Sequence, residues 1–438
     1  MARVGYRELL EGNRSFRNLW FAEIISFLGD WFNTIALYSI VDELSGSGRA
    51  VAGILVGKTL PVFLVAPVAG PLVDRLDRRT LMLIADVGRA VLAVGIIVAY
   101  RAESLAGIYV CHVLMVTLAG VFIPARFAAI PQVASARELA SANALSGGTW
   151  SFTLAIGAAL GGWVTAAVGY EVSLGLDALT FVASAGFLVL LPRLPAPGGE
   201  GHHHDRSFAA GLRHLGQHRR VLMLASLKPL MALGGGALLL IPVYGTTVFP
   251  GQSGPLWTGL FFAARGLGAL VGSMVLIRLF GDSSRAMRRT ILGMFPLAAV
   301  SYLLLGRAGT PAAAAATFFL AAVASGAIWV MSGTLIQREA DHRFLGRILS
   351  VEFGVMTLVI SAASWTAGTV LDVTDLGPGH VAAFSGALLF LPFLVWGGHL
   401  LRERGRRIPG ETAHGTAPPT PGVAPEAFDT SPPAEDAD

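Results

Sequence analysis

The sequence predicts an all-α integral membrane protein with twelve transmembrane helices in two six-helix bundles and both termini cytoplasmic. Three observations carry that expectation. The chain of 438 residues is 54% hydrophobic and only 14% charged, with a mean hydropathy of +0.64, whereas a soluble domain carries about 25% charged residues. Its apolar residues fall into twelve segments of membrane-crossing length. Its arginines crowd into alternate loops.

In chain order the apolar segments lie near 18–42, 50–73, 80–100, 104–125, 138–167, 171–191, 220–248, 255–280, 289–306, 310–336, 347–371 and 380–401. They run from 18 to 30 residues, long enough to cross a ~30 Å hydrocarbon core, which needs about 20. Segments five and seven are long and glycine-rich, so tilting or kinking is expected there. The loops test the topology. Those that an inside N-terminus makes cytoplasmic hold Arg75, Arg78, Arg79, Arg126, Arg137, Arg193, Arg206, Arg285, Arg288, Arg289, Arg338, Arg343 and Arg347, among others. The opposite loops hold only Arg49, Arg101 and Arg307. That bias places both ends inside. The polar, basic stretch Met1–Asn18 has no apolar core or small-residue cleavage site and is expected to stay in the cytoplasm.

A stretch rich in proline, glycine and charge divides the chain. Residues 1–191 form the first bundle, 192–219 a cytoplasmic linker, 220–402 the second bundle and 403–438 a disordered cytoplasmic tail rich in proline and acid. The halves echo each other: Arg285–Arg289 after the eighth segment takes the place of Arg75–Arg79 after the second. Parallel halves of this kind are expected of a two-bundle transporter with its site at their interface.

Other function classes find little support. One cysteine, Cys111, excludes a disulfide framework and a cysteine-based metal site. The net charge of +4 is spread over many short loops and does not form a nucleic-acid patch. No P-loop or interfacial catalytic constellation is present, so an enzyme is not expected. The run His202–His203–His204–Asp205 has metal-ligand chemistry, but as a lone cluster in a linker it reads as solvated loop.

Charges inside the spans are the most informative residues, because each is costly at that depth and seldom faces lipid. Glu23 and Asp30 are seven residues apart, nearly two helical turns, which puts both on one face ~10 Å apart along the axis. Phe27 and Thr34 complete that stripe, with Ser26 and Asn33 beside it. A polar stripe carrying an aromatic lines a cavity, and a buried carboxyl that exchanges its proton is what a reversible proton carrier needs. Glu23, nearer the cytoplasmic end, has an alternative role as the structural partner of an arginine. Lys58 and Lys228, the two lysines of the chain, also lie within spans; each either pairs with a carboxylate or snorkels to the interface. Pro229, Gly234–Gly235–Gly236 and Pro242 predict an interrupted helix around Lys228, a device common at transport sites. Arg265 is a third basic candidate. Asp86 and Arg89 are expected to pair structurally, as are Arg126 and Asp177, and Glu352 is assigned to an inner gate.

Between the second and third segments runs Gly70-Pro-Leu-Val-Asp74-Arg75-Leu-Asp77-Arg78-Arg79, a short charged hairpin. Gly70 lets two backbones approach, Asp74 is placed to meet the positive end of a neighbouring helix, and Arg75, Arg78 and Arg79 are expected in water or at lipid phosphates. This pattern resembles the signature loop of the major facilitator superfamily, with Asp77 where glycine is usual, as in its macrolide-efflux-like branch. Phe27-Leu28-Gly29-Asp30, Asp86-Val87-Gly88-Arg89, Leu139–Asn143 and Gly346-Arg347 are similar to the same branch, which includes siderophore exporters. The resemblance implies a latch between Asp74 and Arg347 at the start of span eleven. One departure is Gly157-Ala158-Ala159-Leu160-Gly161-Gly162, which lacks the proline often found there in antiporters.

The expected function is therefore proton-coupled export of a small amphipathic molecule, such as a drug, macrolide or siderophore, by alternating access in a bacterial plasma (inner) membrane. No cofactor beyond the proton gradient is expected, and the partners are the cargo and membrane lipid, with the protein a monomer. A lysophospholipid or lipid flippase on the same scaffold is the alternative.

Overall fold

A computed structural model describes residues 4–135, 137–195, 215–249, 254–281, 283–340 and 345–403. The linker histidines 202–204 and the tail from 404 lie outside the described residues, as does the side chain of Arg347. After a short helix, Tyr6–Gly12, twelve helices among the described residues are long and apolar enough to cross a membrane: Arg14–Ser45, Gly48–Arg75, Arg78–Arg101, Leu105–Val133, Ser141–Val168, Tyr170–Val189, Arg219–Val248, Gly254–Phe280, Ser284–Leu305, Pro311–Glu339, Ile348–Val373 and Pro378–Arg402, numbered spans 1 to 12. The described residues contain no strand. In a bilayer every backbone polar group needs an internal partner, and the helix supplies it within each span.

Local chemistry sets the ends. Ser47, Asp77, Ser104, Ser283 and Thr310 each accept a hydrogen bond from the first-turn amide three residues on, which satisfies one of the orphan donors at a helix start. Span 1 stops at Gly46, whose φ of +56° suits a residue without Cβ.

The two long glycine-rich spans differ. Span 7 is broken, with a 3₁₀ turn at Ala232–Gly235 and a π turn at Tyr244–Val248, as its prolines and glycines predict. Span 5 runs as one helix over Leu139–Val168. Its glycines serve close approach instead. A Cβ on Gly161 would stand 2.9 Å from the Trp31 carbonyl oxygen of span 1, and one on Gly162 2.9 Å from the Gly259 Cα of span 8.

Within the first half, span 1 packs on spans 5 and 6, span 3 on spans 4 and 6, and span 2 on span 4. In the second, span 10 packs on spans 8 and 9, and span 7 on span 11. The halves meet along two seams, span 2 with span 11 and span 5 with span 8.

Both seams close at one end only. Gly48 abuts Gly368, Thr59 and Ser361 hydroxyls lie 3.0 Å apart, and Phe63 meets Gly354. Further along the same stripe of span 2, Ala66 is exposed and a Cβ on Gly70 would meet nothing within 4 Å. Likewise Gly162 and Gly266 are tightly packed across the other seam, whereas Gly147 and Gly148 face open space. The molecule is shut at the end holding Gly48 and parted toward the Arg75–Arg79 hairpin.

Asp372, near the end of span 11, fastens the shut end. Its carboxylate accepts from the Ser47 hydroxyl (2.6 Å), the Gly48 amide (2.6 Å), the Arg49 amide (3.1 Å) and Arg49 Nε (3.0 Å). An acid at a helix N-terminus is favoured by both the free amides and the helix dipole. Asp372→Ala is expected to loosen this seam: the Ser47 region should become several-fold more reactive to a thiol reagent through an introduced Ser47→Cys, measured against Ser47→Cys alone.

The hairpin differs from the expectation in three respects: a Cβ on Gly70 would meet nothing within 4 Å, so no second backbone approaches it, and Arg78 and Arg79 are both docked on backbone carbonyls. Arg78 does not stay in water. It is buried, its amide donates to the Leu194 carbonyl (2.9 Å) and its guanidinium to that of Pro195 (3.0 Å). Arg79 donates to the carbonyls of Leu188 and Val189 at the end of span 6 (3.1 and 2.8 Å), where unpaired carbonyls and the negative end of the dipole attract a cation. Asp77 completes this dock by accepting from the Thr80 amide and hydroxyl (2.8 and 2.9 Å) and the Leu194 amide (2.6 Å). Burial raises the Asp77 carboxyl, but these bonds and Arg79 outweigh it and hold the group below its ordinary value. A depressed acid stabilises the fold above its unfolded pKa of about 3.9 and loses that contribution as pH falls through its lower folded value. Asp77→Asn is therefore expected to lower the unfolding temperature at neutral pH, with the difference from wild type shrinking below about pH 4.

Candidate functional site

The stripe read from the first span opens onto a cavity of 210 Å³ inside the first half, walled by spans 1, 2, 4 and 5. Phe27, Asp30, Asn33 and Thr34 line it, as does Lys58 from span 2. Thr34 donates to the Asp30 carbonyl oxygen (2.6 Å) and receives a hydrogen bond from Lys58 Nζ (2.6 Å). Lys58 also sits over the Trp31 ring, 4.6 Å from its centroid, a favourable place for a desolvated cation. A carboxylate, an ammonium and several aromatic faces thus share one chamber, as small-molecule sites require.

Behind Asp30 lies a buried polar cluster. Arg89 of span 3 is 1% exposed, pairs with Asp86 one turn earlier, and stands 3.7 Å from Asp30. It also donates to Ser26 (3.0 Å) and is held between the rings of Phe122 and Phe181, 4.7 and 4.4 Å away. Ser184 donates to Asp86 (2.6 Å), and Asn33 to Asp177 of span 6 (2.9 Å). Arg89 and Asp86 pair as the sequence suggests. Arg126 and Asp177 do not pair with each other.

Arg126 instead forms an ion pair with Glu23, to which Ser146 also donates (3.0 Å). The guanidinium lies over Phe27 and Phe127. Glu23 is 1% exposed and does not line the cavity. The two acids of span 1 therefore belong to different networks, Glu23 with an arginine and Asp30 at the chamber wall.

In the second half Lys228 of the broken span 7 pairs with Glu352 of span 11 at 2.7 Å and sits 4.8 Å from the Trp329 centroid. This joins two residues that the sequence assigned to different tasks. Arg265 of span 8 lies near Tyr38 and Tyr302 and within electrostatic reach of Lys58, and neighbouring Phe262 stacks on Tyr38. Asp74 is exposed at the end of span 2. The Asp74–Arg347 contact falls on a side chain outside the described residues.

Among the cavity residues that sequence reading missed are Trp31 and the titratable His112. Its Nε2 lies 3.1 Å from the Ile54 carbonyl oxygen and so donates to it, one turn before Lys58. A lone histidine in an apolar run gives no periodic signal; only the packing of span 4 on span 2 reveals it.

The family model described as Major Facilitator Superfamily matches residues 19–364. The chain belongs to the major facilitator superfamily. Its members are transporters and not enzymes, and this major facilitator is a multi-pass membrane protein. It is 25% identical over 350 residues to BacE of Bacillus subtilis (strain 168), named as a candidate bacilysin exporter, covering 79% of this chain and 86% of that protein. It is 28% identical to the uncharacterized MFS-type transporter YfiS of the same organism, over 43% of this chain and 44% of that protein's length. Among solved structures the nucleoside transporter NupG aligns with a TM-score of 0.66 at 12% identity, over 88% of this chain and 98% of that one. A bacterial homolog of the human lysosomal transporter Spinster, in an inward-facing and unoccupied conformation, aligns at 0.65 and 15% identity, over 92% and 99%. These structures bear on the fold alone.

Proposed function

We propose that this transporter exports small amphipathic molecules from bacterial cells by proton-coupled alternating access. The observation that carries the reading is the single chamber in which Asp30, Lys58 and the aromatic faces of Phe27 and Trp31 meet. A carboxylate at the chamber wall, 37% exposed and backed by Arg89, is reached by water and cargo yet held by protein charge. Protonation and cargo compete for it, which couples the two fluxes.

The arginine-rich hairpin face is assigned to the cytoplasm by the positive-inside rule, with both termini on that side. This state is then open inward and shut outward, with Asp372 on the span 2 N-terminus as the outer fastening. Closing the inner side brings Asp74 toward the start of span 11, where Arg347 serves as its partner. Lys228–Glu352 lies between the moving half-helices of span 7 and span 11 and bears on that gate.

Export as the direction draws on the likeness to BacE, and an amphipathic cargo on the mixed lining of the chamber. The test is uptake into proteoliposomes under an imposed pH gradient, with a panel of macrolides, siderophores and lysolipids. Accumulation that collapses when the gradient is dissipated supports the reading; gradient-independent movement of the whole panel overturns it.

A lipid cargo has one observation in its favour. An apolar groove of 880 Å³ runs between spans 2 and 4, lined by Leu60, Leu64, Val68 and Val113, with Arg49 and Trp365 also at its wall. Lysolipid movement without response to pH would select this second reading.

A further inference from the structure

Asp177 has no assigned task in the scheme above, and its surroundings are unusual. It is 0% exposed, midway along span 6. Its Oδ2 accepts from Asn33 at 2.9 Å, while its Oδ1 has no hydrogen-bond partner. No cation lies within ion-pair distance of it among the described residues. Oδ1 points at Gly29 of span 1, where even a Cβ would stand 2.7 Å away.

Counting charges sharpens the point. The groups that act on Asp177 are Asp30 from span 1, Lys58 from span 2, and Asp86 and Arg89 from span 3. Span 5, also packed against span 6, carries no titratable side chain between Leu139 and Val168. Three carboxyls therefore share two cations. Asp86 holds Arg89 directly, Asp30 stands next to the same guanidinium and reaches the chamber, and Asp177 is left without a counterion. A buried carboxylate with an empty oxygen is far costlier than the neutral acid in the same place.

We infer that Asp177 holds a proton in this state, on Oδ1, and is the internal proton site of the transporter behind Asp30. The neutral acid keeps its Oδ2 carbonyl bonded to Asn33, which itself lines the chamber. The proton comes from chamber water by way of Asp30 and returns the same way. When cargo or rocking changes the charge at Asp30, the balance among the three acids shifts, and Asp177 takes up or releases that proton. The role in turnover rests on the proton-coupled reading; the occupancy itself does not.

The test is infrared difference spectroscopy of the full chain in liposomes, following the carbonyl stretch of a protonated carboxyl through a pH titration with H/D exchange. Wild type is expected to show that band at neutral pH, and Asp177→Asn to lose it. Asn33→Ala keeps every carboxyl but removes the hydrogen bond on Oδ2, so the band should move to higher frequency; this arm decides the matter if Asp177→Asn fails to fold. Absence of the band in wild type, its survival in Asp177→Asn, or an unmoved band in Asn33→Ala overturns the assignment. Because no cargo is involved, failure of this test is distinct from failure of proton-driven transport in proteoliposomes.

Discussion

Asp30→Asn is expected to abolish cargo movement driven by a pH gradient while leaving the protein folded. The substitution preserves shape and hydrogen-bonding capacity but cannot ionise, so the chamber loses the group at which proton and cargo compete. Stability should change little. Arg89 keeps Asp86 and Ser26 as partners, and Asp30 meets it only through a long 3.7 Å contact at the chamber wall. The measurement is initial uptake into proteoliposomes at fixed protein content, with and without an imposed gradient. Gradient-driven uptake should fall to the level of empty liposomes, with the thermal unfolding midpoint close to wild type. Undiminished gradient-driven uptake would remove Asp30 from the coupling mechanism.

Arg89→Leu is expected to cost far more stability than Asp30→Asn, Asp77→Asn or Asp372→Ala. Arg89 neutralises Asp86, which is 0% exposed, and faces Asp30. Removing it leaves at least one carboxylate buried without a counterion, a change that costs on the order of 3–5 kcal/mol where it has been measured in protein interiors. The two flanking rings, Phe122 and Phe181, lose their cation as well. Thermal unfolding in detergent should show a midpoint many degrees lower, with poor recovery of folded protein. The double variant Arg89→Leu/Asp86→Leu should regain much of that loss, because the apolar pair no longer strands a charge. A double variant no better than the single one would mean that packing around the guanidinium, and not its charge, holds this region together.

These two outcomes separate the tasks of neighbouring residues. Asp30 lies at the chamber wall and is replaceable structurally; Arg89 lies behind it and is not. The same division holds for Glu23 and Arg126, whose pair is buried away from the chamber and resembles Arg89–Asp86 more than it resembles Asp30.

Much of the architecture is legible from residue order because its signals are local. Each span is announced by its own run of apolar residues, and the breaks of span 7 by Pro229, the Gly234–Gly236 run and Pro242. The chamber stripe of Phe27, Asp30, Asn33 and Thr34 follows from helical period alone, since period decides which side chains share a face. What period cannot decide is what that face meets. Glu23 and Asp30 share a face on paper, yet neighbouring spans divide them, Arg126 claiming the first and Arg89 the second. The partner of Asp177 is Asn33, 144 residues earlier, and the partner of Arg49 is Asp372, 323 residues later. Arg78 looks like a solvated loop charge until Leu194 and Pro195, just past span 6, arrive to cover it.

Residue order alone determined the number of spans and the approximate place of each, although span 4 runs on to Val133 and not 125, which takes Arg126 out of the expected loop and buries it in the helix. These depend on length, hydropathy and capping within one segment, and each segment satisfies its own backbone. Tertiary structure alone decided how the charges are paired, which end of the seam is shut, and which acid is left with no counterion. Those outcomes depend on helices far apart in the chain coming within a few ångströms of one another, and Coulomb energies and steric fit at that range are invisible to any local pattern.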